Sequence, residues 1–331
     1  MRIALDAMGT DGAPASEIAG VVEVLRDSDP ELEVILVGDE STIRSELGRH
    51  EGYPSDRLSV VHAPDRVLSS DTPSTVIRRK PESSIVVGLR LQKTGEADAF
   101  ISAGSTGAVM AASLFILRPL DGVDRPAIGA VVPTGEGSLL LLDAGANVDC
   151  KPNQLVQFAR LGSVYAKHLM DVEDPRVGLL NIGEEPGKGD ELALTAHGLL
   201  SESEVNFVGN IEGHEIIRGA CDVLVCDGFV GNVLLKFYES VSSFIVDLLR
   251  QGIDSTEFTG DLEEIFRVLD YTEIGGAPLL GVNGVSIICH GGSPPKAIRN
   301  AIRVAARSVR SSMVEHQQRA VSTGSEAKEA V

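Results

Sequence analysis

The stretch 221-CDVLVCDGFVGNVLLK-236 decides the fold. Val223 to Cys226 is an apolar run of strand length, and Asp227, Gly228, Gly231 and Asn232 break it. A helical period begins at Val233 and continues through Leu234, Phe237, Tyr238, Val241, Phe244, Ile245 and Leu248. A buried strand thus ends in an acidic, glycine-flanked turn that delivers Asn232 to the first turn of a helix. Free N–H groups and the positive end of the helix dipole favour an anion there. An ordinary strand-to-helix turn with asparagine as its cap reads equally well from these residues alone.

The construction recurs along the chain. Ile3–Leu5, Val34–Val37 and Leu58–Val61 are short apolar strands, with a helix over Ser16–Leu25 between the first two. Phe100–Ser102 is followed by the small-residue turn Ala103-Gly104-Ser105-Thr106-Gly107 and an apolar helix over Ala108–Leu117. Its glycines allow close backbone approach, and Ser105 and Thr106 can cap the helix or bond a phosphate. Ala127–Val132 and Leu139–Leu142 form a strand pair, and Asp143-Ala144-Gly145-Ala146-Asn147 ends the second, with Pro152 opening the next helix. Val177–Leu180 runs into a polar loop, Asn181 to Glu191, that holds Lys188 between Gly187 and Gly189. Val205–Val208 and Val285–Cys289 complete the strands, the last ending at His290-Gly291-Gly292-Ser293 before a helix over Pro295–Val314.

Strands alternating with helices predict an α/β fold: a mostly parallel sheet in a three-layer, Rossmann-like α/β/α sandwich. Residues 1–315 read as a single α/β domain, with an acidic helical or loop excursion at 251–270 and a disordered tail at 316–331. Ligands of such sheets bind beyond the carboxyl ends of the strands, so the turns at Asp6, Gly104, Asp143, Asn181, Asp227 and His290 are expected to line one crevice. They offer small residues, amides, helix N-termini and one lysine, which suits phosphate better than hydride transfer. Neither GxGxxG nor GxxxxGK[ST] is present.

A formal charge of −19 over 331 residues argues against nonspecific nucleic-acid binding and disfavours adsorption to anionic membranes. Two positive features stand out: Arg78-Arg79-Lys80, and the stripe Arg299, Arg303, Arg307, Arg310 on one helix face. Each reads either as a solvated face or as a dock for an acidic or phosphate-bearing partner. Cys150, Cys221, Cys226 and Cys289 lie in or beside apolar runs, with no CxxC pair and no histidine at ligand spacing. They read as small core residues in a reducing compartment, with no metal site. The start MRIALDAMGTDG enters a strand directly, and no run approaches the ~18 apolar residues of a membrane span. A cytoplasmic protein is expected.

With these residues in place, the chain resembles the phosphate acyltransferase family of bacterial phospholipid synthesis. The likeness covers roughly residues 1 to 312. It rests on DAMGTDGAP from Asp6, RRKPESS from Arg78, SAGSTGAVMAA from Ser102 and LLDAGANVDCKPNQLVQFA from Leu141. NIGEEPGKGDEL from Asn181, GNIEG from Gly209, VCDGFVGNVLLK from Val225 and GGAPLLGVNG from Gly275 complete it. The resemblance implies a fold related to phosphotransacetylases and to isocitrate- and isopropylmalate-type dehydrogenases, and a homodimer. It implies transfer of a fatty acyl group from acyl carrier protein to inorganic phosphate, giving acyl phosphate for a membrane glycerol-3-phosphate acyltransferase, and it requires no cofactor.

For that reaction Lys188 and Asn232 are the expected catalytic pair, holding phosphate and steadying the oxyanion. Asp6, Gly104, Ser105, Thr106, Asn147, Asp227 and His290 are expected to bind substrate, and Arg78, Arg79 and Lys80 to dock the carrier protein. Ser105 and Asp190 stand where the family more often has asparagine. The family's apolar, basic hairpin is replaced by the acidic 251–270 segment, so any peripheral contact with the inner face of the membrane is expected to be weak. The alternatives are a phosphotransacetylase-like enzyme that uses acyl-CoA, and a non-catalytic scaffold at the membrane surface.

Overall fold

The computed structural model describes residues 1–27, 30–68, 70–252 and 275–329. The 253–270 part of the predicted acidic excursion therefore lies outside the described residues. The chain divides into two compact units, Met1–Pro126 with Gly275–Val331, and Ala127–Ile274. Each has its own hydrophobic core.

In the first unit the strands are β1 (Arg2–Asp6), β2 (Glu33–Gly38), β3 (Leu58–His62), β4 (Ala99–Ser102), β10 (Ala277–Leu280) and β11 (Val285–Ile288). Their order is β3-β2-β1-β4-β11-β10, parallel except for the last pair. Side chains alternate across the sheet as the period of two requires. Ile3, Leu5, Ala99 and Ile101 face a cluster that includes Ile18, Val21 and Leu25 of α1 (Ala15–Asp27) and Ile298, Ala301 and Ile302 of the helix Pro295–Arg310. Phe100 points the other way, toward α4 (Ser84–Lys93). A Cβ on Gly88 of that helix would lie 2.3 Å from the Phe100 ring, so only glycine lets helix and sheet meet there. Helices on both faces follow from that alternation.

The second unit contains β5 (Ala127–Thr134), β6 (Gly137–Leu142), β7 (Val177–Leu180), β8 (Phe207–Ile211) and β9 (Val223–Val225), in the order β5-β6-β9-β7-β8. β5 and β6 are an antiparallel hairpin; the other neighbours are parallel. Leu139, Leu141, Leu224 and Cys226 pack with Leu234, Leu235 and Tyr238 of α9 (Gly228–Gly252). On the opposite face α6 (Pro152–Leu169) comes so close that a Cβ on Gly162 would lie 2.5 Å from Val223.

Three expectations change. The helix after β9 starts at Gly228, five residues before the expected Val233. Two glycines hid its first turn because they read as a breaker, whereas here they permit close backbone contact. The expected disordered tail is helical: a helix runs from Met313 to Glu329, with Gln317 and Val321 buried. Gln317 Oε1 accepts the N–H of Gly281 at 3.1 Å, and Gln318 bonds both backbone groups of Asp121. Its polar composition serves as docking chemistry. Finally, the stretch Gly228–Leu249 is long and apolar enough to cross a membrane by length and composition. It carries Lys236, Glu239 and Asp247, and its inner face packs on the sheet.

Candidate functional site

All six expected turns lie at the carboxyl ends of strands, three in each unit. In the second unit the organising group is Asp143, at the end of β6, which is fully buried. Its Oδ1 accepts N–H bonds from Ile128, Gly145 and Ala146 at 3.0, 3.2 and 3.1 Å. Its Oδ2 accepts the backbone and side-chain N–H groups of Asn147 at 2.7 and 3.0 Å. Burial pushes the Asp143 carboxyl above its ordinary value, against these donors, which pull it down. One carboxylate thus shapes the whole 143–147 loop. The sequence places the Asp143 turn among those expected to line the crevice but gives the carboxylate no role of its own; its signal is an acidic residue closing an otherwise apolar strand.

That loop is clamped to the start of α9. Gly228 N–H donates to the Asn147 carbonyl at 2.7 Å. A Cβ on Gly231 would lie 1.9 Å from the Asp143 carbonyl oxygen, so no other residue fits. Asp227 is the cap: its Oδ1 accepts from Phe229 and Val230 at 2.9 and 3.0 Å, and its carbonyl accepts from Gly231 at 3.0 Å. All four N–H groups of the first turn are therefore spent inside the protein. The expectation of free N–H groups here for an anion does not hold, and neither does that of an asparagine cap. Asn232 sits in the second turn, exposed, with its side chain against Gly145. Among the described residues its amide has no hydrogen-bond partner.

Lys188 rises from the loop after β7, which is β9's neighbour in the sheet. Asn181 Nδ2 donates to the Lys188 carbonyl at 3.0 Å, and Asn210 Nδ2 donates to the Glu185 carbonyl at 2.9 Å. Gly189, at φ +100°, leaves no room for a Cβ beside the Asn181 side chain. The backbone is stapled, yet the Lys188 ammonium is exposed and has no hydrogen-bond or ion-pair partner among the described residues. Asp190 caps the following helix by accepting from Ala193 N–H at 2.8 Å, so aspartate performs this cap without the family's more usual asparagine.

In the first unit Asp6 is buried. Its Oδ2 accepts from Ser102 Oγ at 2.7 Å, its Oδ1 from Met8 N–H at 3.0 Å, and Ser102 Oγ in turn accepts from Gly104 N–H at 3.0 Å. Burial pushes the Asp6 carboxyl up, and these bonds with one from Ser84 oppose it. Asp6 therefore orients the Gly104 turn through Ser102. Ser105 caps α5 (Thr106–Ile116), accepting from Ala108 N–H at 3.4 Å. The N–H groups of Thr106 and Gly107 have no acceptor among the described residues. His290 is exposed, its Nδ1 accepting from Gly292 N–H at 3.3 Å, and Gly291 accepts from Asp11 N–H at 2.8 Å, which ties this loop to the one after β1.

Behind that loop lies Glu17, fully buried, with both oxygens accepting from Thr10, N–H at 2.7 Å and Oγ1 at 2.9 Å. Burial pushes its carboxyl up to about 7. The same cause lifts the thiols of Cys221 and Cys289 to about 12, so these are inert core residues. Among the described residues no cluster of His, Cys, Asp or Glu could hold a metal ion.

The expected carrier dock splits. Lys80 Nζ is committed to Asp71 at 2.5 Å and to the Arg66 carbonyl at 2.8 Å. Arg78 and Arg79 are exposed and make no hydrogen bond or ion pair among the described residues, although Arg79 lies in the field of Asp71, and Arg79 borders a polar hollow with Ser70, Thr72 and Thr75. In the other stripe Arg299 is half-buried and pairs with Glu23 at 3.3 Å, and its helix packs on α1. That arginine braces two helices.

The fold defined by these units is the one seen in phosphotransacetylases. The phosphotransacetylase of Streptococcus pyogenes aligns with a TM-score of 0.63 at 18% identity, covering 94% of each chain. A branched-chain phosphotransacylase from Enterococcus faecalis aligns with a TM-score of 0.61 at 16% identity, covering 93% of this chain and 99% of that one. In sequence, residues 1–316 match the family model described as fatty acid synthesis protein. The phosphate acyltransferase of Desulforamulus reducens is 49% identical over 323 residues, covering 95% of each chain. That of Salinibacter ruber is 47% identical over 324 residues, covering 95% of this chain and 96% of its own. The chain belongs to the phosphate acyltransferase family.

Proposed function

We propose that this enzyme transfers a fatty acyl group from the thioester of acyl carrier protein to inorganic phosphate. A phosphate oxygen attacks the thioester carbonyl carbon, the tetrahedral oxyanion collapses, the C–S bond breaks, and the carrier leaves as its thiol while acyl phosphate is formed. Phosphate is already a nucleophile, so the protein's task is to hold a dianion and stabilise the oxyanion. The observation that carries the reading is the pair of unspent polar groups, the Lys188 ammonium on the loop after β7 and the Asn232 amide near the start of α9 after the adjacent β9, each on backbone held by hydrogen bonds. Lys188 supplies charge to phosphate and Asn232 donates to the oxyanion. Asp227 and Asn147 hold the Asn232 turn. Gly104, Ser105, Thr106 and His290 of the first unit are proposed to bind substrate, with Asp6 orienting the Gly104 turn through Ser102.

Arg78 and Arg79 are the proposed contacts for the acidic carrier, since they are the members of that cluster with charge to spare. A homodimer and a weak peripheral membrane contact are proposed as well; the exposed Phe237, Phe244 and Leu248 of α9 support both. The test is acyl phosphate formation from a long-chain acyl carrier protein with phosphate, at low and at high salt. Product from acyl-CoA but not from the carrier protein would favour the phosphotransacetylase-like alternative. A folded protein that makes no product from either thioester would overturn the enzymatic reading and leave the scaffold role.

A further inference from the structure

We propose that Val148, Ile182, Phe229 and Val233 seat the hydrocarbon of the acyl group and so set a preference for long acyl chains; the inference rests on the acyl transfer proposed above. These side chains are 67%, 82%, 60% and 55% exposed. An isolated exposed apolar residue is unremarked on most protein surfaces. These four, however, accompany the polar groups of one site. Val148 follows Asn147, Ile182 follows Asn181, and Phe229 and Val233 lie on the turns of α9 that carry Asn232. Their loops leave β6, β9 and β7, which are consecutive in the sheet, with Val225 of β9 registered against Leu142 on one side and Leu179 on the other. Strands lie ~4.8 Å apart, so the three loops originate within about 10 Å.

Local hydrogen bonds also hold two of these residues out in the open. The N–H of Ile182 is fixed to Asn181 Oδ1 at 2.8 Å, and that of Phe229 to Asp227 Oδ1 at 2.9 Å. The backbone cannot turn these side chains inward without breaking the bonds that shape the site. Phosphate gains nothing from apolar surface, and neither does the polar head of a thioester. A hydrocarbon does: each methylene it buries is worth roughly fourfold in affinity. The occupant that matches both the apolar rim and the polar centre is the chain of the acyl substrate.

The test compares wild type with Ile182→Ser, Phe229→Ser and Val148→Ser on thioesters of increasing acyl length, reading kcat/KM with phosphate as co-substrate. Circular dichroism melts establish that each variant folds, and sedimentation reports its oligomeric state. The expected result is that wild type rises with chain length, and that the long-to-short ratio of kcat/KM falls at least tenfold in Ile182→Ser or Phe229→Ser. A loss by the same factor at every length, or no loss, overturns the acyl seat while leaving acyl transfer standing. Dissociation of a dimer with an unchanged ratio overturns it too, and assigns the face to a second copy. Absence of acyl phosphate from every thioester with folded wild type removes the transfer reading and this inference with it.

Discussion

The turns at Ser102–Gly107 and at Cys226–Asn232 are alike in sequence, each a buried strand, a small-residue turn and a helix, and they dispose of their N–H groups in opposite ways. At α9 the first four N–H groups end on Asn147 and Asp227, and what the turn presents outward is the side-chain amide of Asn232. At α5 the cap takes Ala108, and the N–H groups of Thr106 and Gly107 remain without an acceptor among the described residues. The same local pattern thus yields a side-chain donor in one unit and backbone donors in the other. A strand-to-helix turn is an anion site only where its own cap leaves N–H groups over.

The largest expected effect separates the two turns by packing. Gly231→Ala drives a Cβ to 1.9 Å from the Asp143 carbonyl and is expected to cost more than about 4 kcal/mol or prevent folding. Gly104→Ala meets only side-chain atoms, of Ser102, Ile85 and Asp6 at 3.2 to 3.4 Å, which must give by a few tenths of an ångström, and is expected to cost less, about 1–2 kcal/mol. Thermal melts of the two variants read the difference, and equal losses would break the comparison.

Next in size is Lys188→Ala, expected to lower turnover about 100- to 1,000-fold with an unchanged melting profile. Near-normal turnover would remove Lys188 from the site. The buried carboxylates then sharpen the contrast between the units. Asp143 is surrounded by five N–H bonds that favour its charged form, whereas Glu17 has fewer donors, the N–H and hydroxyl of Thr10 and its own backbone N–H. The folded-state value of Glu17 is raised from 4.5 to about 7, so its favourable term is complete below pH 4.5 and is lost as pH rises through 7. Glu17→Gln is expected to remove that loss, worth on the order of 3 kcal/mol; parallel stability–pH curves for variant and wild type would refute it.

Smaller effects probe the α5 turn and the carrier dock. Proline fits the first position of a helix, and Ser105 before it is already extended, at ψ 115°. Thr106→Pro therefore deletes one spare N–H without disturbing the helix, and KM for phosphate is expected to rise about tenfold. An unchanged KM would leave the α5 turn a structural element only. Smallest, Arg78→Glu with Arg79→Glu is expected to raise KM for the carrier substrate several-fold, more at low salt than at high salt. No change at either salt would place the dock elsewhere.

Much of the sheet was legible, because apolar runs bounded by glycine, aspartate and asparagine mark buried parallel strands. Leu58–Val61 and Val177–Leu180 coincide with β3 and β7 to within a residue, and the hairpin across Pro133–Gly137 is the antiparallel pair β5–β6. β10 is absent from the strands expected from sequence, since Pro278 and the preceding Gly275 and Gly276 obscure four residues of strand. The start of α9 was misplaced for the related reason that Gly228 and Gly231 serve tertiary contact with Asp143, which no local pattern encodes. Residue types at the site were legible too. Which of them are already spent was not: Lys80 looks like its neighbours Arg78 and Arg79 until Asp71, nine residues away, is seen to hold it. Asp227 likewise looks like a ligand until Phe229 and Val230 are seen to use it.

With the backbone donors of its first turn already satisfied, α9 offers the site the Asn232 side chain. Acyl phosphate formation from a long-chain acyl carrier protein, measured side by side for wild type and Asn232→Ala, tests it most directly. Product is expected from wild type, and turnover about 100- to 1,000-fold lower in the variant, with the melting profile preserved. Equal turnover of the two proteins would contradict it.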